Sequence, residues 1–204
     1  MQGLLTFFKK SRIVISRIFT LFIIFVLIFS DSSWQDRPVL DFLLEATGFV
    51  LILVCTFGRI WTLSCINGHK TRDLITWGPY SIVRNPLYLF SFIGAVGLGL
   101  ASRNILVLVG LLLMFVLYYP FVVIAEERRL MKVHPQNFTD YARRTPRIIP
   151  AFALYHMPKT YPVDSRLFLR AFISVMWFPL GFVFLLLVKV LHAQGVLPIL
   201  FTLP

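Results

Sequence analysis

The sequence predicts an all-α fold, a polytopic transmembrane helical bundle of about five spans, and three observations carry that prediction. Mean hydropathy is +0.80. Only 14% of the 204 residues are charged, where a soluble domain usually carries about a quarter. The apolar residues also fall in long blocks, and a helix needs roughly 20 such residues to cross about 30 Å of hydrocarbon. The chain therefore reads as one membrane domain over residues 1–204, with no internal repeat or low-complexity tract.

The first span is predicted over residues 13–30, behind Lys9, Lys10 and Arg12. Arg17 interrupts the run, and Ser30-Asp31-Ser32-Ser33 follows it where a cleavable leader would carry an A-x-A-like site. The segment therefore reads as a retained span. A polar link ending at Pro38 leads to the second span, residues 39–63. Asp41 and Glu45 occupy its first turns, where the helix dipole favours carboxylates. Arg59, near its other end, is placed to snorkel to the interface.

Residues 64–86 turn polar, punctuated by Gly68, Gly78, Pro79 and Pro86. Two apolar blocks follow, 87–101 and 105–125, joined by Ser102-Arg103-Asn104 as a tight helical hairpin. Gly94, Gly97 and Gly99 in the first block permit close helix packing. A polar, helix-capable stretch covers 126–141, a proline-rich segment runs to Pro162, and a last span is predicted over 167–191.

The net charge of +11 could point to nucleic acid, but the basic residues cluster beside apolar blocks instead of on a soluble patch. There they meet anionic headgroups and set orientation. With five spans, one side receives Lys9, Lys10, Arg12, Lys70, Arg72, Arg84 and the basic residues from Arg128 to Arg166; the other receives Arg37 and Arg103. The N-terminus and the polar loops are therefore predicted to be cytoplasmic, in a bacterial inner membrane or an endoplasmic-reticulum membrane. Cys55 and Cys65 form no CxxC pair, and the four histidines show no metal-ligand spacing.

Two segments on that predicted cytoplasmic side are dense in groups that could carry chemistry. The first is Gly78-Pro79-Tyr80-Ser81-Ile82-Val83-Arg84-Asn85-Pro86-Leu87-Tyr88. Pro86 suits the first position of the third span. The free amides there and Arg84 could seat a carboxylate, and Tyr80 and Tyr88 offer faces for an adenine ring or a sulfonium cation. The same residues would also serve as an ordinary interfacial loop. The second segment is Glu126-Glu127-Arg128-Arg129-Leu130 followed by Phe138, Tyr141, Arg143-Arg144-Thr145-Pro146-Arg147 and Pro150. Adjacent carboxylates leaving a span need solvent or a partner. They point in different directions on a helix, so at most one is expected in a shared site. A solvated helix with pairs such as Glu126–Arg129 is the alternative.

Taken in order, Gly-Pro-Tyr-x-x-x-Arg-Asn-Pro-x-Tyr, a helical hairpin, then Glu-Glu-x-x-Leu, Phe-x-x-Tyr and Arg-x-Pro resembles the isoprenylcysteine carboxyl methyltransferase family, which is grouped with phospholipid N-methyltransferases. The resemblance covers about residues 68–150. It implies a cytosol-facing pocket for S-adenosyl-L-methionine and a lipophilic or prenylated acceptor drawn from the membrane lipids. Carried over by position, Gly78, Pro79, Tyr80, Arg84, Asn85, Pro86, Tyr88 and Glu127 belong to the cofactor site. Arg144, with Arg147 and Tyr141, faces the substrate, and Arg144, Glu127 and Arg84 carry the catalytic roles. No metal is implied. The chain departs from the family at Asn85, usually histidine, at Phe90, usually small and here expected to narrow the pocket, and at His134-Pro135, usually Phe-Gly. An NADPH-dependent membrane sterol reductase, which carries a similar arginine–proline segment on a longer chain, and a non-catalytic scaffold of the same fold are the alternatives.

Overall fold

The computed structural model describes residues 17–32, 37–67 and 73–203. The predicted contributions of Lys9, Lys10, Arg12, Gly68, Lys70 and Arg72, and the start of the first span, lie outside them. The described chain is an all-α membrane bundle. Its elements are α1 (Arg17–Phe29), β1 (Ser30–Ser32), α2 (Pro38–Ile66), α3 (Pro79–Ile82), α4 (Pro86–Ala101), α5 (Ile105–Val133), α6 (Pro135–Arg144), a 3₁₀ turn (Phe152–Leu154), α7 (Ser165–Val175), α8 (Trp177–Ala193) and β2 (Phe201–Leu203). Three helical runs, Pro38–Ile66, Ile105–Val133 and Ser165–Ala193, are long and apolar enough to cross a membrane, and α1 and α4 are shorter apolar helices.

Glycine sets how closely α2 and α4 approach. A Cβ on Gly48 would stand 2.6 Å from the Ala101 amide nitrogen and the Gly97 carbonyl oxygen, and one on Gly97 would stand 2.8 Å from the Gly48 carbonyl oxygen. Backbone meets backbone there, which is how small residues hold helices together where lipid removes the hydrophobic drive. Phe90 lies against Gly58 of α2 and does not line the cavity described below. The expected narrowing does not occur, because the missing side chain at position 58 makes room for the ring.

The hairpin between α4 and α5 forms where predicted. Arg103 adopts a positive φ of 56°, and the Asn104 side chain caps α5 by accepting from the Leu106 and Val107 amides at 2.9 and 3.3 Å. At that end of the bundle an ion network ties three elements. Arg103 pairs with Asp41 at 2.9 Å, and Lys189 of α8 reaches Asp41 at 3.1 Å and also Glu45. The C-terminal end of α1 joins it: Asn104 donates to the Ser30 hydroxyl at 2.8 Å, and His192 bonds the Ile28 carbonyl at 2.9 Å. Beside it β1 pairs in parallel with β2, with Ser30 opposite Phe201.

From Asp41 to Leu63, α2 rises about 33 Å at 1.5 Å per residue, close to the hydrocarbon thickness. Its far end, the start of α4 and the last turns of α5 therefore meet at the opposite end of the bundle. Arg59 does not snorkel outward. Its guanidinium turns into the bundle, where Nη1 donates to the Ser91 hydroxyl and to the Leu87 carbonyl at 3.5 Å, and the group sits 5.5 Å from the centroid of the Phe178 ring.

Candidate active site

The polar segments singled out in the sequence form one wall. The Arg84 amide donates to the Pro146 carbonyl at 2.9 Å, the Ala151 amide to the Ile82 carbonyl at 2.9 Å, and the Gly78 amide to the His156 carbonyl at 2.8 Å. Gly78 opens this turn with φ of 62°. A Cβ there would meet Cys65 Sγ at 3.0 Å, so both its conformation and its surroundings call for glycine. Pro79 and Pro86 each start a helix, as their fixed φ and missing N–H allow.

Glu127 is the hub of this wall. Only 8% of it is exposed, and both carboxylate oxygens are engaged. Arg147 binds it bidentately, Nε to Oε1 at 3.1 Å and Nη2 to Oε2 at 2.6 Å. Arg84 pairs with Oε1 at 3.3 Å, and the Asn85 amide donates to the same oxygen at 3.3 Å. That bond to Glu127 raises the pKa of Arg147 above its ordinary value. Asn85 needs only a donor for this contact, so the lack of a titrating histidine leaves the wall intact. The neighbouring carboxylate meets the first segment as well: Tyr88 donates its hydroxyl to Glu126 at 3.1 Å. One of the two glutamates faces the cavity, as expected, but it is Glu126 and not the Glu127 assigned to the cofactor, which instead braces the wall from behind. Two residues about 100° apart on α5 address three residues of the first segment, Arg84, Asn85 and Tyr88.

Tyr141 completes the frame by donating to the Tyr80 carbonyl at 2.8 Å. Burial pushes the pKa values of Tyr80 and Tyr141 upward, which keeps the Tyr141 phenol protonated as the donor of that bond.

In front of this wall lies a cavity of about 430 Å³, within the range of small-molecule and cofactor pockets. Tyr80, Arg84, Asn85, Pro86, Tyr88 and Tyr141 line it, all of them predicted site residues. Gly78 and Pro79 lie behind the lining and shape the turn. Glu127 and Arg147 also lie outside the lining and hold Arg84 and Asn85 from the rear. Arg144 is exposed at the end of α6, away from the lining.

Several lining residues were not predicted. Glu126, Arg129, Leu130 and Val133 all face the cavity from α5. Their spacing of three, one and three residues is the signature of one helical face, a signal present in the sequence. His134 lines the cavity too, and the His134-Pro135 pair is the break at which α5 ends and α6 begins. Leu63 and Ile66 extend the lining onto α2.

The helical bundle, the order of its motifs and the cavity where they converge define an integral membrane methyltransferase architecture. A family model described as phospholipid methyltransferase matches residues 45–137, and the chain belongs to this family, within the isoprenylcysteine carboxyl methyltransferase-like group of membrane methyltransferases. The nickel-cobalt-cadmium resistance protein NccN of Alcaligenes xylosoxydans xylosoxydans is 37% identical over 173 residues, covering 85% of this chain and 80% of that protein. The cobalt-zinc-cadmium resistance protein CzcN of Cupriavidus metallidurans is 36% identical over 177 residues, covering 87% and 81%. No solved structure matches the chain significantly.

Proposed function

We propose that this chain uses S-adenosyl-L-methionine to methylate a lipophilic acceptor at the membrane interface, with its N-terminus and cavity on the cytoplasmic side of a five-span bundle. One observation carries the reading: residues 78–88 and 126–147 converge on a single cavity with charged groups at its rim and apolar side chains on its walls. The residues present fit the cofactor. Arg84 and Arg129 would hold its carboxylate, Glu126 its ammonium group, and the faces of Tyr80 and Tyr88 its adenine or sulfonium. When bound, it supplies a methyl group already activated by the positive sulfur.

The chain's own contribution is then alignment and exclusion of water. The Glu127 hub holds Arg84 and Asn85 in place. Leu63, Leu130 and Val133 keep one wall apolar, so a lipid-borne acceptor can approach without bringing a column of water. A carboxylate nucleophile needs no base, whereas an amine must reach the site neutral. Arg144, exposed and outside the cavity's lining, is assigned the acceptor's polar group on the resemblance alone.

The relatives' names concern nickel, cobalt, zinc and cadmium resistance. If this chain serves a comparable trait, its contribution on this reading is a methylated membrane component. The test is a lipid mass-spectrometric comparison of cells with and without the protein, grown with and without nickel. It should reveal a species heavier by one methylene, about 14 daltons. Purified protein should be thermally stabilised by S-adenosylhomocysteine and not by NADPH. Stabilisation by NADPH alone would favour the reductase alternative; binding neither would favour a scaffold.

A further inference from the structure

Arg59 is a charged residue within a long apolar helix that neither the site above nor the ion network at the other end of the bundle uses. It lies one helical turn from Leu63, about 6 Å toward the bilayer centre by helical rise. Leu63 and Leu87 both line the cavity, and the Leu87 carbonyl accepts from Arg59. The guanidinium therefore lies on the membrane side of the cavity, behind Leu87 and just outside the lining itself.

Its partners there are all neutral: the Ser91 hydroxyl, the Leu87 carbonyl and the face of Phe178. Both hydrogen bonds use Nη1. Nε is buried without a hydrogen-bond partner, and among the described residues Nη2 makes no hydrogen bond and no carboxylate pairs with the group. The two other arginines with a buried, unpartnered Nε, Arg84 and Arg103, each hold a carboxylate. A guanidinium cannot shed its charge, and an unpaired cation within a membrane span is costly and marks function by default. The edge without a protein partner among the described residues, Nε with Nη2, whose Nε is buried, is the edge that grips a carboxylate or phosphate with two parallel bonds.

We infer that Arg59 is a specificity-determining residue that binds the anionic group of the acceptor, a phosphate or carboxylate lying just on the membrane side of the atom to be methylated. The inference rests on the reading of the cavity as the transfer site. It narrows the acceptor to an amphiphile whose nucleophile projects into the cavity while a short linker leaves its anion one helical turn deeper. Neutral lipophiles would lack the second anchor.

The experiment is native mass spectrometry of the full chain released from detergent with dioleoyl phosphatidic acid, oleic acid or dioleoylglycerol. Wild type should bind at least one of the anionic lipids ten-fold or more tighter than dioleoylglycerol. Arg59→Gln should erase that preference without changing dioleoylglycerol binding, and Arg59→Lys, which keeps the charge but not the fork, should retain part of it. The anion that responds identifies the phosphate or the carboxylate class. Should neither anion respond to either variant, or all three lipids weaken together, Arg59 merely packs α2 against α4 and the inference is overturned. If Arg59→Gln does not fold, a wild-type preference left intact by Arg59→Lys with no loss of affinity also counts against the two-bond grip. S-adenosylhomocysteine stabilisation, measured on the same samples, should persist in both variants. Its absence from wild type would sink the proposed reaction while leaving the lipid result readable.

Discussion

Replacing Glu127 by glutamine keeps the shape of the hub and removes its charge. Three groups then lose their common acceptor, but not equally. The Arg147 side chain is 48% exposed, so water can replace most of what it loses, and such a pair contributes about 0.5–1 kcal/mol. The Arg84 side chain is only 15% exposed. Removing its carboxylate strands a covered guanidinium, a change that costs about 3–5 kcal/mol when the pair is fully buried. Glutamine retains one acceptor oxygen, so the expected loss for Glu127→Gln is about 3 kcal/mol. Arg147→Ala, which leaves Arg84 paired, should cost about 1 kcal/mol or less. For a chain of this size each kcal/mol moves the melting midpoint by about 2–4 °C. Glu127→Gln should therefore lower it by about 6–12 °C and Arg147→Ala by no more than about 4 °C. The assay is thermal unfolding of the full chain in one detergent, followed by the fluorescence of its four tryptophans. Equal losses in the two variants, or a Glu127→Gln midpoint unchanged from wild type, would show that the hub does not hold Arg84.

Three further outcomes separate the roles of the site residues. Arg84→Ala, which removes a lining cation, should abolish stabilisation by S-adenosylhomocysteine; unchanged stabilisation would remove Arg84 from the cofactor site. Arg144→Ala, outside the lining, should preserve that stabilisation and lower methyl transfer to added lipid acceptors, and full activity would free Arg144 of any role with the acceptor. Tyr141→Phe deletes the bond to the Tyr80 carbonyl and should cost about 1 kcal/mol, a midpoint shift of about 2–4 °C. Because burial raises the Tyr141 pKa above its ordinary 10.0, the folded state holds that proton more tightly than the unfolded state. The tyrosine's contribution is therefore complete below pH 10 and declines only above it. The gap between wild type and Tyr141→Phe should stay constant from pH 6 to 9, and a gap that closes within that range would mean that the phenol titrates there.

The three long apolar helices were legible because a bilayer imposes length and hydropathy on a helix more strictly than water does. Ser102-Arg103-Asn104 and Pro86 marked helix ends because their chemistry is local. Where elements meet was less legible. Asp41, Glu45, Arg103 and Lys189 each look like isolated interface residues, and only the folded bundle joins them into a network. The three-residue strands β1 and β2 are too short to show alternation, and their pairing links positions 30 and 201. The site divides the same way. Tyr80, Arg84, Asn85 and Tyr88 could be read from their motif, but which arginine of the second segment reaches Glu127 could not. Thr145 leaves the helix with extended backbone angles, φ −102° and ψ 126°, and Pro146 accepts from the Arg84 amide. That exit turns the chain back across α5. It leaves Arg144 at the end of α6 on the exposed side and delivers Arg147, three residues later, to both oxygens of Glu127. Motif spacing counts residues along the chain, whereas an ion pair depends on direction. A single residue leaving the helix is enough to decide which of two nearby arginines becomes part of the wall.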